Sequence, residues 1–260
     1  MYKFALPLFI LIFSACNSAT DKTIEQTIVK VDSLTTNHLQ KPVIEEKIDL
    51  ITDENVVEKL TKYGEENPET ILEIYTTKGQ LKVRLFKDTP LHRANFVMLA
   101  KKGFFEGSVF TRVVKNFMAQ GGGTYNDEQV EIKKQIGNYT IPNEISKSRF
   151  HKKGALGAAR SYLANPDKRS DPFAFYLIEG TTYTESALDH YEYENKYKYS
   201  STQRDYYKTN TGAAHIDGEH TVFGEIIEGF NVVPKLNGVK TDSRDWPNDD
   251  ILIEKVVVIK

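Results

Sequence analysis

The chain has 260 residues, 40% of them hydrophobic, enough to bury the core of one large domain with appendages. A formal net charge of −2, with no basic stripe interleaved with aromatic residues, speaks against a nucleic-acid partner. A single cysteine, Cys16, excludes an intramolecular disulfide.

The first residues read as an export signal. Lys3 supplies a positive n-region, and Phe4–Phe13 is an apolar run too short to cross a membrane as a helix. It ends in Phe13-Ser14-Ala15-Cys16, small residues before a cysteine, which resembles the bacterial lipobox. That resemblance implies a signal peptide over residues 1–15, a lipid on Cys16, and a membrane-anchored place in the cell envelope, on the periplasmic or outer-membrane face. The alternative is an ordinary secretory signal with an incidental cysteine. Several acyl chains hold a membrane firmly where one holds it marginally, and a free thiol in an exported chain invites oxidation. From Asn17 to about Pro42 the sequence is polar, Thr-rich and aperiodic, and reads as a flexible tether. Thr52-Asp53-Glu54-Asn55 is a helix-start signal, and Val56, Val57, Leu60 and Tyr63 follow at helical spacing until Gly64 and Pro68 end the helix. Residues 16–68 are thus expected to hold the lipidated cysteine, tether and short helix, and residues 69–260 the main domain.

From Thr70 the pattern changes to strands. Ile71–Thr77, a Lys78-Gly79 turn and Leu81–Phe86 predict a hairpin with one buried face. Asp88-Thr89-Pro90 predicts a helix with an N-cap and a proline in its first turn. Phe96, Leu99 and Ala100 share its apolar face, and Gly103 stops it. A second, shorter helix is expected around Asn231–Leu236, and the chain closes on a β-branched strand, Ile251–Ile259. Strands, two helices and several Gly-punctuated segments predict a mainly β fold, a closed antiparallel barrel with helices over its open ends. A lipocalin-like barrel made only of strands would not carry the helix at Thr89–Gly103. Residues 181–211 form an insertion in which Tyr183, Tyr191, Tyr193, Tyr197, Tyr199, Tyr206 and Tyr207 alternate with charges, predicting two short helices. Such a surface suits a partner, but packing of the tyrosines onto the barrel is the preferred reading.

Val109–Gly123, VFTRVVKNFMAQGGG, carries the chemistry. One guanidinium, Arg112, stands in an otherwise largely apolar run that ends in three glycines, which allow close backbone approach or positive φ. A single cation beside an apolar recess suits an uncharged, apolar group that needs one strong donor. Phe110, Arg112, Phe117, Met118, Gln120, Gly121 and Gly122 resemble the F-x-R-x-x-x-x-F-M-x-Q-G-G signature of cyclophilin-type peptidyl-prolyl cis-trans isomerases, and the resemblance covers roughly Glu69 to Lys260. It implies an eight-stranded barrel capped by two helices. It also implies that Arg112 acts on the proline nitrogen, that Phe117 and Met118 floor the proline pocket, and that Gln120 contacts the peptide and steadies the arginine. The alternative for Arg112 is a surface salt bridge.

Further along, Ala159 matches the alanine of the family's Ala-Asn pair, while Arg160 replaces the asparagine and is expected to donate to a substrate carbonyl. Pro172–Ile178 resembles G-S-Q-F-F-I. There Tyr176 falls on the aromatic that closes the pocket, and Ala174 replaces a substrate-binding glutamine. His215–Gly224 resembles W-L-D-G-x-H-x-V-F-G, so Ile216 and His220 would line the pocket and His215 would leave a smaller, wetter wall where tryptophan stood. His92 and His190 are read as surface residues. The implied activity is isomerisation of X–Pro bonds in unfolded or exported polypeptides by a monomer that uses no cofactor and no metal. The alternative is a catalytically weak binding module or chaperone on the same barrel.

Overall fold

The computed structural model describes residues 50–123 and 125–259; the signal peptide, Cys16 and the tether lie outside them. Strand β1 (Ile51–Thr52) leads into helix α1 (Val56–Glu66), and β2 (Ile71–Thr76) and β3 (Gly79–Leu85) form the expected hairpin. Its alternation buries Leu72, Ile74, Leu81, Val83 and Leu85 on one face. Then come α2 (Pro90–Lys101), β4 (Ser108–Val114), β5 (Met118–Gly122), α3 (Asp127–Ile136), β6 (Gly137–Asn138), β7 (Ala155–Ala158) and β8 (Ala174–Ile178). The insertion supplies α4 (Glu185–Asn195) and α5 (Ser201–Thr209). A 3₁₀ turn (Ala214–Ile216), β9 (Val222–Glu228), α6 (Val232–Asn237) and β10 (Leu252–Ile259) complete the order. Eight strands close into an antiparallel barrel in the order β10–β2–β3–β9–β7–β8–β5–β4, and β4 returns to β10. β1 and β6 pair in parallel outside it.

Helix α2 brings Phe96 against Phe105, Phe175 and Phe223, with ring centroids 4.9, 5.4 and 5.5 Å away. These spacings fall in the range of tilted and edge-on aromatic packing. Helix α1 joins the same core through Val56 and Leu60, both fully buried. Gly64 does not end α1, as expected from the sequence. The helix continues to Glu66, and the missing side chain lets Arg93 of α2 donate from Nη2 to the Gly64 carbonyl at 2.8 Å. A Cβ at Gly64 would lie 2.9 Å from that nitrogen. Helix α3 was not anticipated, although Asn126 and Gln129 form a reciprocal capping box at its start.

The start of α2 departs from the expected cap. The Thr89 hydroxyl donates to the Phe86 carbonyl at 3.2 Å and leaves the helix N–H groups alone. The distant Glu144 takes their place, accepting from Leu91 N and His92 N at 3.0 Å each and lying 2.6 Å from His92 Nδ1. A carboxylate there satisfies two orphan donors and faces the positive end of the helix dipole. His92 is therefore no surface residue: it is 2% exposed, its Nε2 meets Ser170 Oγ at 2.9 Å, and its ring stacks on Phe223. His190 is exposed.

In the insertion, Tyr197, Tyr199 and Tyr207 pack with Leu188 and Ala214 in a small core of their own, while Tyr193 faces solvent. Arg204 staples α5 to α4 through Glu185, Asp189 and Glu192 at 2.6, 2.7 and 3.0 Å. The tyrosines thus mainly pack the insertion.

Replacing Glu144 by Ala strands two helix N–H groups and the His92 imidazole together, and should destabilise the fold by about 2–4 kcal/mol. Urea denaturation measures it; a variant within about 0.5 kcal/mol of wild type would contradict this account of the helix start.

Candidate active site

Face sorting on four adjacent strands builds the site. On β8, Phe175 and Leu177 join the barrel core, while Ala174, Tyr176 and Ile178 join a second apolar cluster on the other face. On β5, Ala119 goes to the core and Met118 to that second cluster. Period-two alternation on β4 would turn Arg112 to the same side as Phe110, which is buried in the core. A bulge between Phe110 and Arg112 shifts the register, with Phe110 opposite Gly121 and Arg112 opposite Gln120. The shift sends Val113 inward and leaves Arg112 exposed on the outer face.

All eleven residues placed at the site by the resemblance line one cleft of about 500 Å³: Arg112, Phe117, Met118, Gln120, Ala159, Arg160, Ala174, Tyr176, His215, Ile216 and His220. Ser161, Tyr162 and Asp171 line it too and were not foreseen. The cleft's two arginines differ sharply. Arg112 has a side chain 45% exposed, with Nε and Nη2 each 3.1 Å from Asp245 Oδ2. It therefore does carry a salt bridge, and the group that holds it is Asp245; Gln120 faces it only as its partner in the strand ladder.

Arg160 is 4% exposed and committed. Its Nε donates to the Glu219 carbonyl at 2.6 Å, Nη2 to Glu219 Oε2 at 2.5 Å and Nη1 to the Ser161 carbonyl at 3.2 Å, and the guanidinium lies over the Tyr162 ring. It is pinned within the protein, and the donation to a substrate carbonyl expected of it would use the remaining hydrogens on Nη1 and Nη2.

Tyr176 lies flat across β7 because position 157 is glycine; a Cβ there would collide with its ring. Its hydroxyl meets His151 Nε2 at 2.8 Å. His151 Nδ1 is 2.6 Å from Asp217 Oδ1, and the Tyr207 hydroxyl donates to Asp217 Oδ2 at 2.6 Å. This buried chain runs from the insertion to the cleft wall. Burial drives the Tyr176 phenol well above its ordinary range, so it offers no nucleophile. Nothing in the spacing of His151, Asp217 and Tyr207 along the chain marks them as partners.

His220 Nδ1 lies 3.1 Å from the Ala158 carbonyl, which can only accept, so Nδ1 carries the proton and Nε2 accepts from the Tyr162 hydroxyl at 2.7 Å. Burial first, and the neighbouring His151 ring second, pull its pKa down to about 3. His215 is not the wetter wall expected of it. Its ring packs 4.6 Å from Phe117, its Nδ1 shares a hydrogen bond with the Tyr183 hydroxyl at 2.8 Å, and Tyr191 lies beside it. Burial, again with His151 second, lowers its pKa to about 4. Around neutral pH both rings are uncharged, which leaves Arg112 as the exposed cation beside an apolar floor of Phe117, Met118 and Ile216.

Residues 71–258 match the family described as "Cyclophilin type peptidyl-prolyl cis-trans isomerase/CLD". Over 242 residues the chain is 28% identical to a Streptococcus pyogenes protein provisionally named a bifunctional phosphatase/peptidyl-prolyl cis-trans isomerase; the match covers 84% of this chain and 48% of that protein. A provisionally named peptidyl-prolyl cis-trans isomerase of Staphylococcus haemolyticus is 29% identical over 187 residues, covering 71% of this chain and 89% of the relative. The chain thus spans about half the length of the first relative and most of the second. In fold it is similar to a Cryptosporidium parvum cyclophilin type isomerase crystallised in the presence of the dipeptide Ala-Pro. The TM-score is 0.52 at 20% identity, covering 73% of this chain and 99% of that one.

The two depressed histidines make stability pH-dependent. Below about pH 6.5 the unfolded chain binds protons that folded His215 and His220 refuse. Their contribution is therefore full above about pH 6.5 and is lost as pH falls toward about 4 for His215 and about 3 for His220. The melting temperature should hold from about pH 8 to 6.5 and decline below it, with a shallower decline in His220→Gln. A melting temperature that rises on acidification would refute the assignment.

Proposed function

The chain belongs to the cyclophilin type peptidyl-prolyl cis-trans isomerases, and on that footing we propose that its cleft rotates X–Pro bonds of exported polypeptides, with Arg112 favouring the twisted amide. The barrier to such rotation is near 18–20 kcal/mol, because the C–N bond must surrender its resonance, and the uncatalysed change takes tens to hundreds of seconds. Neither nucleophile nor cofactor is required. As the amide twists, its nitrogen becomes pyramidal and gains a lone pair that a planar amide lacks. An N–H donor aimed there strengthens only in the transition state, where it raises the rate.

The observation that carries this reading is the bulge-directed placement of an exposed, permanently charged guanidinium beside Phe117, Met118 and Ile216. The apolar floor takes the proline ring. Neutral His220 and the buried Tyr176 close the far side without adding charge. A charge-assisted hydrogen bond contributes about 1.5–3 kcal/mol, or about one to two powers of ten in rate. Exclusion of water and fixed orientation would supply the rest.

Peptide recognition rests on fewer polar contacts than the resemblance implies, since Ala174 offers only a methyl and Arg160 has three of its five hydrogens taken by Glu219 and Ser161. This favours broad use of X–Pro substrates over tight binding of one sequence. The apolar run before Cys16 and its likeness to a lipobox support a reaction in the cell envelope, where newly translocated chains are unfolded, by a monomer tethered to the membrane through a lipid on Cys16.

In an NMR-exchange or protease-coupled assay on X–Pro peptides, Arg112→Ala in the mature chain should lower kcat/KM about 100-fold or more, with the fold intact. Peptide binding by a wild-type chain that shows no rate above the uncatalysed one would instead indicate a binding module. For the anchor, radiolabelled fatty acid should enter the wild-type chain in cells and be lost in Cys16→Ser. Labelling that persists in the variant would rule out Cys16 as the lipid site.

A further inference from the structure

The guanidinium of Arg112 does not float at the cleft edge. It is held from behind by a loop that neither the signature motif nor the cleft lining includes. We propose that Asp245 is a positioning residue for the isomerase reaction, fixing the plane of the Arg112 guanidinium so that its unused donors face the bound amide. The inference rests on the proposed role of Arg112.

Asp245 Oδ2 takes Nε and Nη2 of Arg112 at 3.1 Å each. The charge-assisted hydrogen bond from Nε, with Nη2 paired by charge to the same oxygen, ties one edge of the planar fork to the loop. The hydrogen bond uses the Nε hydrogen and leaves those on Nη1 and Nη2 for a ligand. Arg160, by contrast, has all three nitrogens bonded within the protein.

The loop that carries Asp245 is built to hold it in place. Thr241 and Pro247 form a β-bridge across its base. Within it, Asp242 Oδ1 accepts from Arg244 N at 2.8 Å and Trp246 N at 2.9 Å. Asp245 itself adopts a left-handed conformation, φ +65°, which aspartate and asparagine tolerate better than most residues. Its carbonyl accepts from Val113 N at 2.9 Å, so the residue next to Arg112 is bonded to the backbone of the residue that grips the Arg112 side chain. The strand and the side chain are thus fixed to one point.

Stability does not account for the arrangement. Both partners are more than 40% exposed, at 45% and 42%, and an exposed ion pair contributes little to folding. Orientation does account for it. A free arginine side chain spreads over many rotamers, and a displacement of about 1 Å at a reacting centre costs about 100-fold in rate.

Asp245→Asn tests this with the backbone preserved, since asparagine accepts the same φ and keeps the bond to Val113. NMR line-shape measurement on an X–Pro peptide should give a kcat lowered about 10-fold with KM within about 2-fold of wild type. The melting temperature should stay within about 2–4 °C. The Arg112 Nε–H resonance should be sharper in the wild type than in the variant. Combined with Arg112→Ala, Asp245→Asn should cost nothing further. Unchanged kcat in an active protein, or an equal loss in the Arg112→Ala background, would overturn the inference alone. A wild-type chain without isomerase rate would bring down the proposed reaction and this inference together.

Discussion

The buried Asp217 carboxylate is the constraint around which the far wall of the cleft is organised. At 2% exposure it would be costly to bury without partners. It has three: the backbone N–H of His151 at 2.9 Å, His151 Nδ1 at 2.6 Å and the Tyr207 hydroxyl at 2.6 Å. The partners come from two residues in different parts of the fold. His151 lies just before β7, Tyr207 on helix α5 of the insertion, and Asp217 directly after the 3₁₀ turn that carries His215 and Ile216 into the cleft. One carboxylate therefore sets where the cleft's far wall stands. Through His151 Nε2 it also holds the Tyr176 hydroxyl, so the aromatic that closes the pocket is oriented from within the protein.

The placement of Arg112 depends on a different device, a single extra residue in β4. The hairpin β2–β3 follows its alternation without interruption, and its buried face was readable residue by residue. In β4 the same rule would have put the guanidinium on the side of Phe110 and left no exposed cation for the cleft. The bulge changes the parity of everything after Phe110. Bulges near functional sites re-aim side chains in this way, and here the re-aimed side chain is Arg112.

Much of the architecture was legible because it rests on local patterns: strand alternation, the helix face of Phe96 and Leu99, and the paired helices of the insertion. The motif spacing likewise brought together the eleven residues that line the cleft. What escaped was set by partners far apart in sequence. His92 looked like a surface histidine because nothing near it signals Glu144, 52 residues away, or Ser170, 78 residues away. Arg160 looked available because Glu219, 59 residues on, is invisible to a reading of its own strand. Asp245 lies 133 residues from Arg112. Long-range polar pairing leaves no period in a sequence, whereas burial of apolar faces does. Helix α3 is the exception among the omissions: its capping box, Asn126 to Gln129, was local and could have been found.

The departures from the family pattern on the far wall are compensated in structure. Where the resemblance places an indole, His215 alone would leave a gap. The insertion fills the space around it with Tyr183, hydrogen-bonded to the imidazole, and with Tyr191 beside the ring. The resulting cluster is dry enough to keep His215 neutral, with its pKa at about 4, so an uncharged aromatic surface is recovered by a different route. Tyr162 does the corresponding work for His220, its hydroxyl occupying Nε2 and its ring resting against Arg160. Arg160 thereby supports the Tyr162 ring at the rim of the cleft. Because Tyr183 and Tyr207 reach the wall from the insertion, that segment is a structural part of the cleft and no mere appendage to the barrel.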